Sequence, residues 1–268
     1  VRLFVTILAV TATTFLTENV ACAQDLRVLF FDPDANHQSI EEITTAFQGF
    51  LTEVDSRLVF QPVNDQETFV TLLDKDDVGF VIVSSALLRD HPMIKPLLVP
   101  ARAGSPHYTK LLLQKAGALP GDLQGKSIAG TAFANANTQG GSKRVLAELG
   151  NNKELKLKGA TIIPVSKDID ALLALVFGQV HGALVTRATL AALDATIPGG
   201  RDKIQEVYES PRILRSPLGV IPDNVSPRLR QNIHAAFLAM PETEKGKSVL
   251  SLLGYDSWQP MPPRVFSP

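Results

Sequence analysis

The stretch LFFDPDANHQSIEE (residues 29–42) places Asp32, Asp34 and Asn36 at alternate positions, the spacing of oxygen donors in a calcium-binding loop. Such a loop needs glycine at its sixth position and a bidentate glutamate at its twelfth. Counted from Asp32, those positions hold His37 and Ile43. Pro33 further disturbs the loop, and a strand rather than a helix precedes it. Calcium is therefore rejected. Two readings stay open: a solvated loop that caps the next helix through Ser39, or the same loop as the edge of a ligand cleft.

A second polar cluster lies in FANANTQGGSKRVLAEL (residues 133–149), with Asn135, Asn137, Thr138 and Gln139 at a strand-to-helix junction. The first turn of a helix has unsatisfied N–H groups, and its dipole adds partial positive charge. Four short polar side chains exceed what capping needs, and Gly140-Gly141 allow close approach, so this junction is expected to bind a small anion. It is not a phosphate-binding P-loop, because the terminal Gly-Lys-Ser/Thr is missing, and it does not fit the dinucleotide fingerprint.

Other reactive side chains form no catalytic pattern. No two of His37, His91, His107, His181 and His234 are four residues apart, so no helical metal pair arises. Ser84-Ser85 lacks the flanking glycines of a nucleophile elbow. Cys22 is the only cysteine. The chain is expected to be no enzyme, with no catalytic residues, no metal site and no cofactor.

These residues must be held by regular elements, and the pattern supplies them. LRVLFF (26–31), RLVFQPV (57–63) and VGFVIV (78–83) read as strands, alternating with helices after Ser39 and over 65–75. In the first helix Ile43, Ala46, Phe47, Phe50, Leu51 and Val54 recur at helical intervals. The unbroken apolar run 78–83 suits a strand buried on both faces. After two extended pieces, IKPLLVPA and YTKLLLQ, alternation resumes. Strands are expected at 126–131, 160–165, 182–186 and 203–209, and helices at 137–150, 167–178 and 187–195. SPLGVIP returns as an extended segment, helices follow at 226–240 and from Glu242, and QPMPPRVFSP is expected to be a loose tail. The fold class is α/β: two doubly wound lobes joined by two hinge strands, crossed near 115 and recrossed near 215. Ligands of open α/β sheets sit at the carboxyl ends of the strands, which places the 29–42 loop at the cleft.

Composition narrows the partners. With 26 basic and 27 acidic residues, 6% aromatics and no Lys/Arg block, nucleic acid is excluded as a partner. Arg2, the apolar run LFVTILAVTATTFL and the Ala21-x-Ala23 spacing read as an export signal cleaved after Ala23. A retained membrane anchor and a lipoprotein modified at Cys22 are the alternatives. The expected organisation is a signal peptide at 1–23, lobe I at 24–115, lobe II at 116–215, and lobe I again at 216–268. The location is the periplasm.

Three segments carry a resemblance: HYTKLLLQKAGALPGDLQGKSIAGT, DIDALLALVFGQVHGALVT and IQEVYESPRILRSPLGVIPDNVSPRLRQNIHAAFLAM. In this order the chain resembles the periplasmic solute-binding proteins of ABC transporters, in the phosphonate/phosphite-binding branch of the type 2 periplasmic-binding fold. The resemblance implies ligand contacts from both lobes. The helix start falls on Asn137, Thr138 and Gln139, the position after the next strand on Ser166, and the end of the Gly-x-Val-Asp-Ala strand on Thr186 and Arg187. Lobe I contributes around Asp32 and Ser84-Ser85. There are departures: His181-Gly182 stands where Asp-Ala is usual, amides replace some serines, and Thr186-Arg187 stands where an acid is common, which favours an anion.

The resulting expectation is a monomeric binding protein. Closure of its lobes traps a small polar, anionic ligand, and an ABC transporter permease receives it. The alternative is an accessory or sensory protein of the same fold that presents itself to a receptor. An enzyme on this scaffold is the third reading.

Overall fold

The computed structural model describes residues 25–32, 40–131 and 148–262. Strands β1 (Leu26–Phe31), β2 (Leu58–Pro62) and β3 (Val78–Val83) alternate with α1 (Ile40–Val54) and α2 (Gln66–Leu73), and α3 (Ser85–Asp90) follows. β1 pairs in parallel with both β2 and β3. Asp65 caps α2 by accepting from the Thr68 N–H at 2.8 Å, as an N-terminal aspartate should.

Each apolar strand feeds two cores, one on each face of its sheet. Val28 and Phe30 of β1 join Phe80 and Ile82 of β3 under α1, where Phe47 stacks on Phe60 at 4.4 Å. Leu29 and Phe31 point the other way, with Val81 and Val83, toward Phe69 and Leu87 of α2 and α3. The period of two along a strand makes this division, and it explains why the run 78–83 contains no polar residue.

The first sheet has six strands in the order β13-β4-β12-β3-β1-β2. Its outer members come from distant parts of the chain: β4 (Lys95–Ala101), β12 (Leu218–Val220) and β13 (Ser257–Pro260). β12 runs antiparallel between β3 and β4, and β13 antiparallel to β4 at the edge. The expected loose tail is therefore partly a strand. An edge position tolerates Pro260, and Trp258 is buried against Phe237. Helices α7 (Pro227–Leu238) and α8 (Glu244–Leu253) cover the face that carries α1.

The second sheet has five strands in the order β10-β6-β9-β7-β8. These are β6 (Lys110–Lys115), β7 (Ser127–Gly130), β8 (Thr161–Pro164), β9 (Gly182–Thr186) and β10 (Ile204–Glu209). β7, β8 and β9 are parallel; β6 runs against β9, and β10, antiparallel to β6, points the same way as β9. Its helices are α4 (Asp168–Val176), α5 (Arg187–Ala191) and α6 (Leu193–Thr196). The single helix expected over 187–195 is thus broken at Ala192. Residues 148–150 are helical.

The chain crosses between sheets twice, through β5 (His107–Tyr108) and β11 (Ile213–Leu214), which pair with each other antiparallel. Because β6 belongs to the second sheet, the outward crossing lies one strand before the boundary expected at 115. No helix among the described residues is long and apolar enough to cross a membrane.

Candidate ligand-binding site

The crossings determine which ends of the sheets meet. β4 is antiparallel to β12, as β3 is, so β4 ends at the same edge as the carboxyl ends of β1 and β3. Nine residues later β6 begins at Lys110, opposite Thr186 at the carboxyl end of β9. The return is equivalent: Glu209 of β10 pairs with Leu111, and β12 starts with Leu218 opposite Ile82. Both linkers therefore join carboxyl end to carboxyl end, the location where open α/β sheets bind ligands.

At the second sheet this edge is organised by one carboxylate. Asp168 opens α4 and is buried. Its Oδ1 accepts from Lys110 Nζ at 2.8 Å and from Thr131 Oγ1 at 3.0 Å. Its Oδ2 accepts from the Thr186 N–H at 2.6 Å and from Thr189 Oγ1 at 3.3 Å. Lys110, which is 0% exposed, also donates to Thr131 Oγ1 at 2.8 Å. Burial of a lone charge costs several kcal/mol; here each charge has its counter-ion and further hydrogen bonds. The ends of β7 and β9 and the starts of β6 and α4 are thereby tied to a single neutral cluster.

Thr186 and Arg187 occupy the position expected of them, at the end of β9. The Thr186 hydroxyl caps α5, accepting from the Thr189 N–H at 3.2 Å, and Thr186 is only 9% exposed. Arg187 is exposed, and its guanidinium meets Glu209 at 3.0 Å and Glu206 at 3.5 Å. Glu209 also accepts from Thr109 Oγ1, and this bond, ahead of Arg187, holds its carboxyl below the usual range. Ser166 is exposed just before α4.

At the first sheet, Asp32 directly follows β1, half-buried, and its Oδ2 accepts from the Tyr255 hydroxyl at 3.2 Å. Ser84 follows β3 and caps α3 through the Leu87 N–H at 3.4 Å. Ser85 is the first residue of α3 and is buried beneath it. Asp32, Ser84, Ser166 and Arg187 thus share the carboxyl edges, while Ser85 and Thr186 lie deeper. Asn135, Asn137, Thr138 and Gln139 lie outside the described residues, as does Ser39. Thr131, held by Lys110 and Asp168, immediately precedes that segment.

Sequence reasoning missed Lys110, Thr131, Asp168 and Thr189. The signal was slight: a lysine at the head of an apolar strand, and an aspartate at a helix start whose partner is 58 residues away. Among the described residues, no group of three or more His, Cys, Asp or Glu could hold a metal ion. The arrangement suits recognition through hydrogen bonds, backbone N–H groups and fixed charges.

Comparison with known proteins gives the same architecture. The family described as "ABC transporter, phosphonate, periplasmic substrate-binding protein" matches residues 29–265. No curated protein sequence matches this chain. Among solved structures, PhnD1 from Prochlorococcus marinus in complex with methylphosphonate is 12% identical with a TM-score of 0.70, over 90% of this chain and 94% of its own. XAC2383 from Xanthomonas citri bound to ATP is 13% identical with a TM-score of 0.69, over 89% of this chain and 91% of its own. A binding protein component of an ABC phosphonate transporter from Pseudomonas aeruginosa is 17% identical with a TM-score of 0.67, over 88% and 81%. At these identities the likeness to each structure is one of fold.

Proposed function

This chain belongs to the family of periplasmic substrate-binding proteins of phosphonate ABC transporters, and from that premise we propose that it captures one small polar oxyanion between its lobes and presents it to a membrane permease. Solute binding outside the cytoplasm is the family's role. The ligand class, the closure and the monomeric state are our reading.

The observation that supports it is the junction of carboxyl end to carboxyl end by two paired linkers. A ligand held there touches both sheets at once. It is met by Ser84 from one side, with Asp32 at the same edge, and by Ser166, Arg187 and Asn137–Gln139 from the other. Closure is a hinge motion of β5 and β11, which are short and whose movement leaves both sheets intact. Exclusion of water then strengthens each charge-assisted hydrogen bond to the anion. Because Lys110 and Asp168 cancel, the second-lobe floor is rigid without attracting ions by itself.

Recognition of this kind needs no covalent step, and the chain acts as a carrier in this reading. The test is thermal denaturation of the full chain with methylphosphonate, phosphite, phosphate and sulfate in turn. One of them is expected to raise Tm with concentration as mass action requires. A Tm unmoved by all four at millimolar concentration rejects the oxyanion reading.

A further inference from the structure

Immediately after β11, Arg215 sits in an unusual setting. Its guanidinium carbon lies 5.6 Å from the ring centroid of Tyr108, in β5, and 5.8 Å from that of Tyr255. Its Nε donates to the Ser105 carbonyl at 3.4 Å, and its backbone N–H donates to the Pro106 carbonyl at 2.9 Å. The two terminal amino groups make no hydrogen bond or ion pair with any described residue. The side chain is half-buried.

Its location follows from its neighbours. Tyr255 donates to Asp32 at the carboxyl end of β1, so the ring over Arg215 is fixed at the cleft edge of the first sheet. Tyr108 belongs to one crossing and Arg215 to the other. The guanidinium is therefore held where both linkers meet the edge proposed to receive ligand.

Lys110 and Arg187, also at this edge, are neutralised by Asp168 and by Glu206 and Glu209. Arg215 has ring faces in place of a carboxylate. A ring quadrupole steadies a cation without cancelling its charge, and the stacked plane leaves the terminal N–H fork available. Arg212 adds a second cation nearby: burial, and then Arg212 and Arg215, hold His107 below the ordinary histidine range.

We infer that Arg215, clamped between Tyr108 and Tyr255, receives the ligand's oxyanion at the hinge. This rests on the oxyanion reading above and adds the residue that supplies its positive charge. The fork suits a bidentate acid group such as phosphonate, phosphite or carboxylate. Since the clamp draws on both crossings, an anion seated on Arg215 also fixes the hinge.

The test is isothermal titration of the full chain and of Arg215→Met and Arg215→Lys with methylphosphonate, phosphite and phosphate. Arg215→Met is expected to weaken the tightest of these by about 10–100-fold, as loss of hydrogen bonds from a charged group implies, with unliganded Tm within a few degrees of wild type. Arg215→Lys is expected to fall between, since it keeps the charge and loses the fork. Wild-type affinity in Arg215→Met overturns the inference and leaves the oxyanion reading standing. Failure of the wild type to bind any of the three, or sulfate, overturns both. Should Arg215→Met not fold, the side-chain 15N resonances of Arg215 in the wild-type protein decide: they shift on adding methylphosphonate, or the inference is wrong.

Discussion

Lys110 Nζ stands 2.8 Å from Asp168 Oδ1, with both side chains closed to solvent. Removal of one partner leaves a buried charge uncompensated, a defect of about 3–5 kcal/mol. Asp168→Asn should lower the urea midpoint accordingly. The double variant Lys110→Met, Asp168→Leu should be more stable than either single change, because no charge is left buried. A single variant within about 1 kcal/mol of wild type would contradict a structural role for the pair.

His107 lies in the hinge strand β5, and burial followed by Arg212 and Arg215 depresses its affinity for a proton. The unfolded chain has no such depression. As pH falls through about 6.5, the unfolded state takes up the proton first, so stability present above that pH is lost on acidification. Urea midpoints at pH 7.5 and 5.5 should differ more for wild type than for His107→Gln. An equal difference in both proteins would show that His107 contributes nothing.

Gly219 lies in β12, between β3 and β4. A Cβ there would stand 2.4 Å from Cγ2 of Ile94, a stiff β-branched side chain that is 2% exposed. Gly219→Ala should therefore destabilise the protein by about 1–3 kcal/mol through overpacking. Chemical denaturation measures this directly, and a neutral substitution would mean that the core yields more readily than its close contacts imply.

The Asn137→Ala, Thr138→Ala double variant should bind its oxyanion more weakly while melting at a wild-type temperature. Thr131, whose hydroxyl is bonded to Lys110 and Asp168, is left unchanged by the two substitutions. Unchanged affinity by titration calorimetry would remove Asn137 and Thr138 from the site.

Much of this architecture was legible in local pattern. β1, β3 and β9 match the expected strands residue for residue, because unbroken apolar runs between turn residues leave few alternatives. β13 escaped notice, since SWQP sits among prolines and gains its identity only from β4. The break at Ala192 was equally hidden in a run of good helix formers. The site was legible by position more than by contact. Asp32 and Ser84 directly follow β1 and β3, and Thr186 ends β9, as the strand pattern implied. Which of their atoms are already engaged by the protein itself depends on partners as remote as Tyr255, 223 residues from Asp32.

The edge strand β13 has a consequence for how the protein is made. Every strand of the second sheet lies between Lys110 and Glu209, whereas the first sheet lacks its last two members until Leu218–Val220 and Ser257–Pro260 have emerged. On a growing or translocating polypeptide the inner half has its full set of strands first, and the outer half waits with the border of β4 uncovered. An uncovered border invites pairing with another nascent molecule. Chains cut short before Ser257 would carry that hazard permanently, with Phe237 deprived of the Trp258 ring that lies edge-on to it.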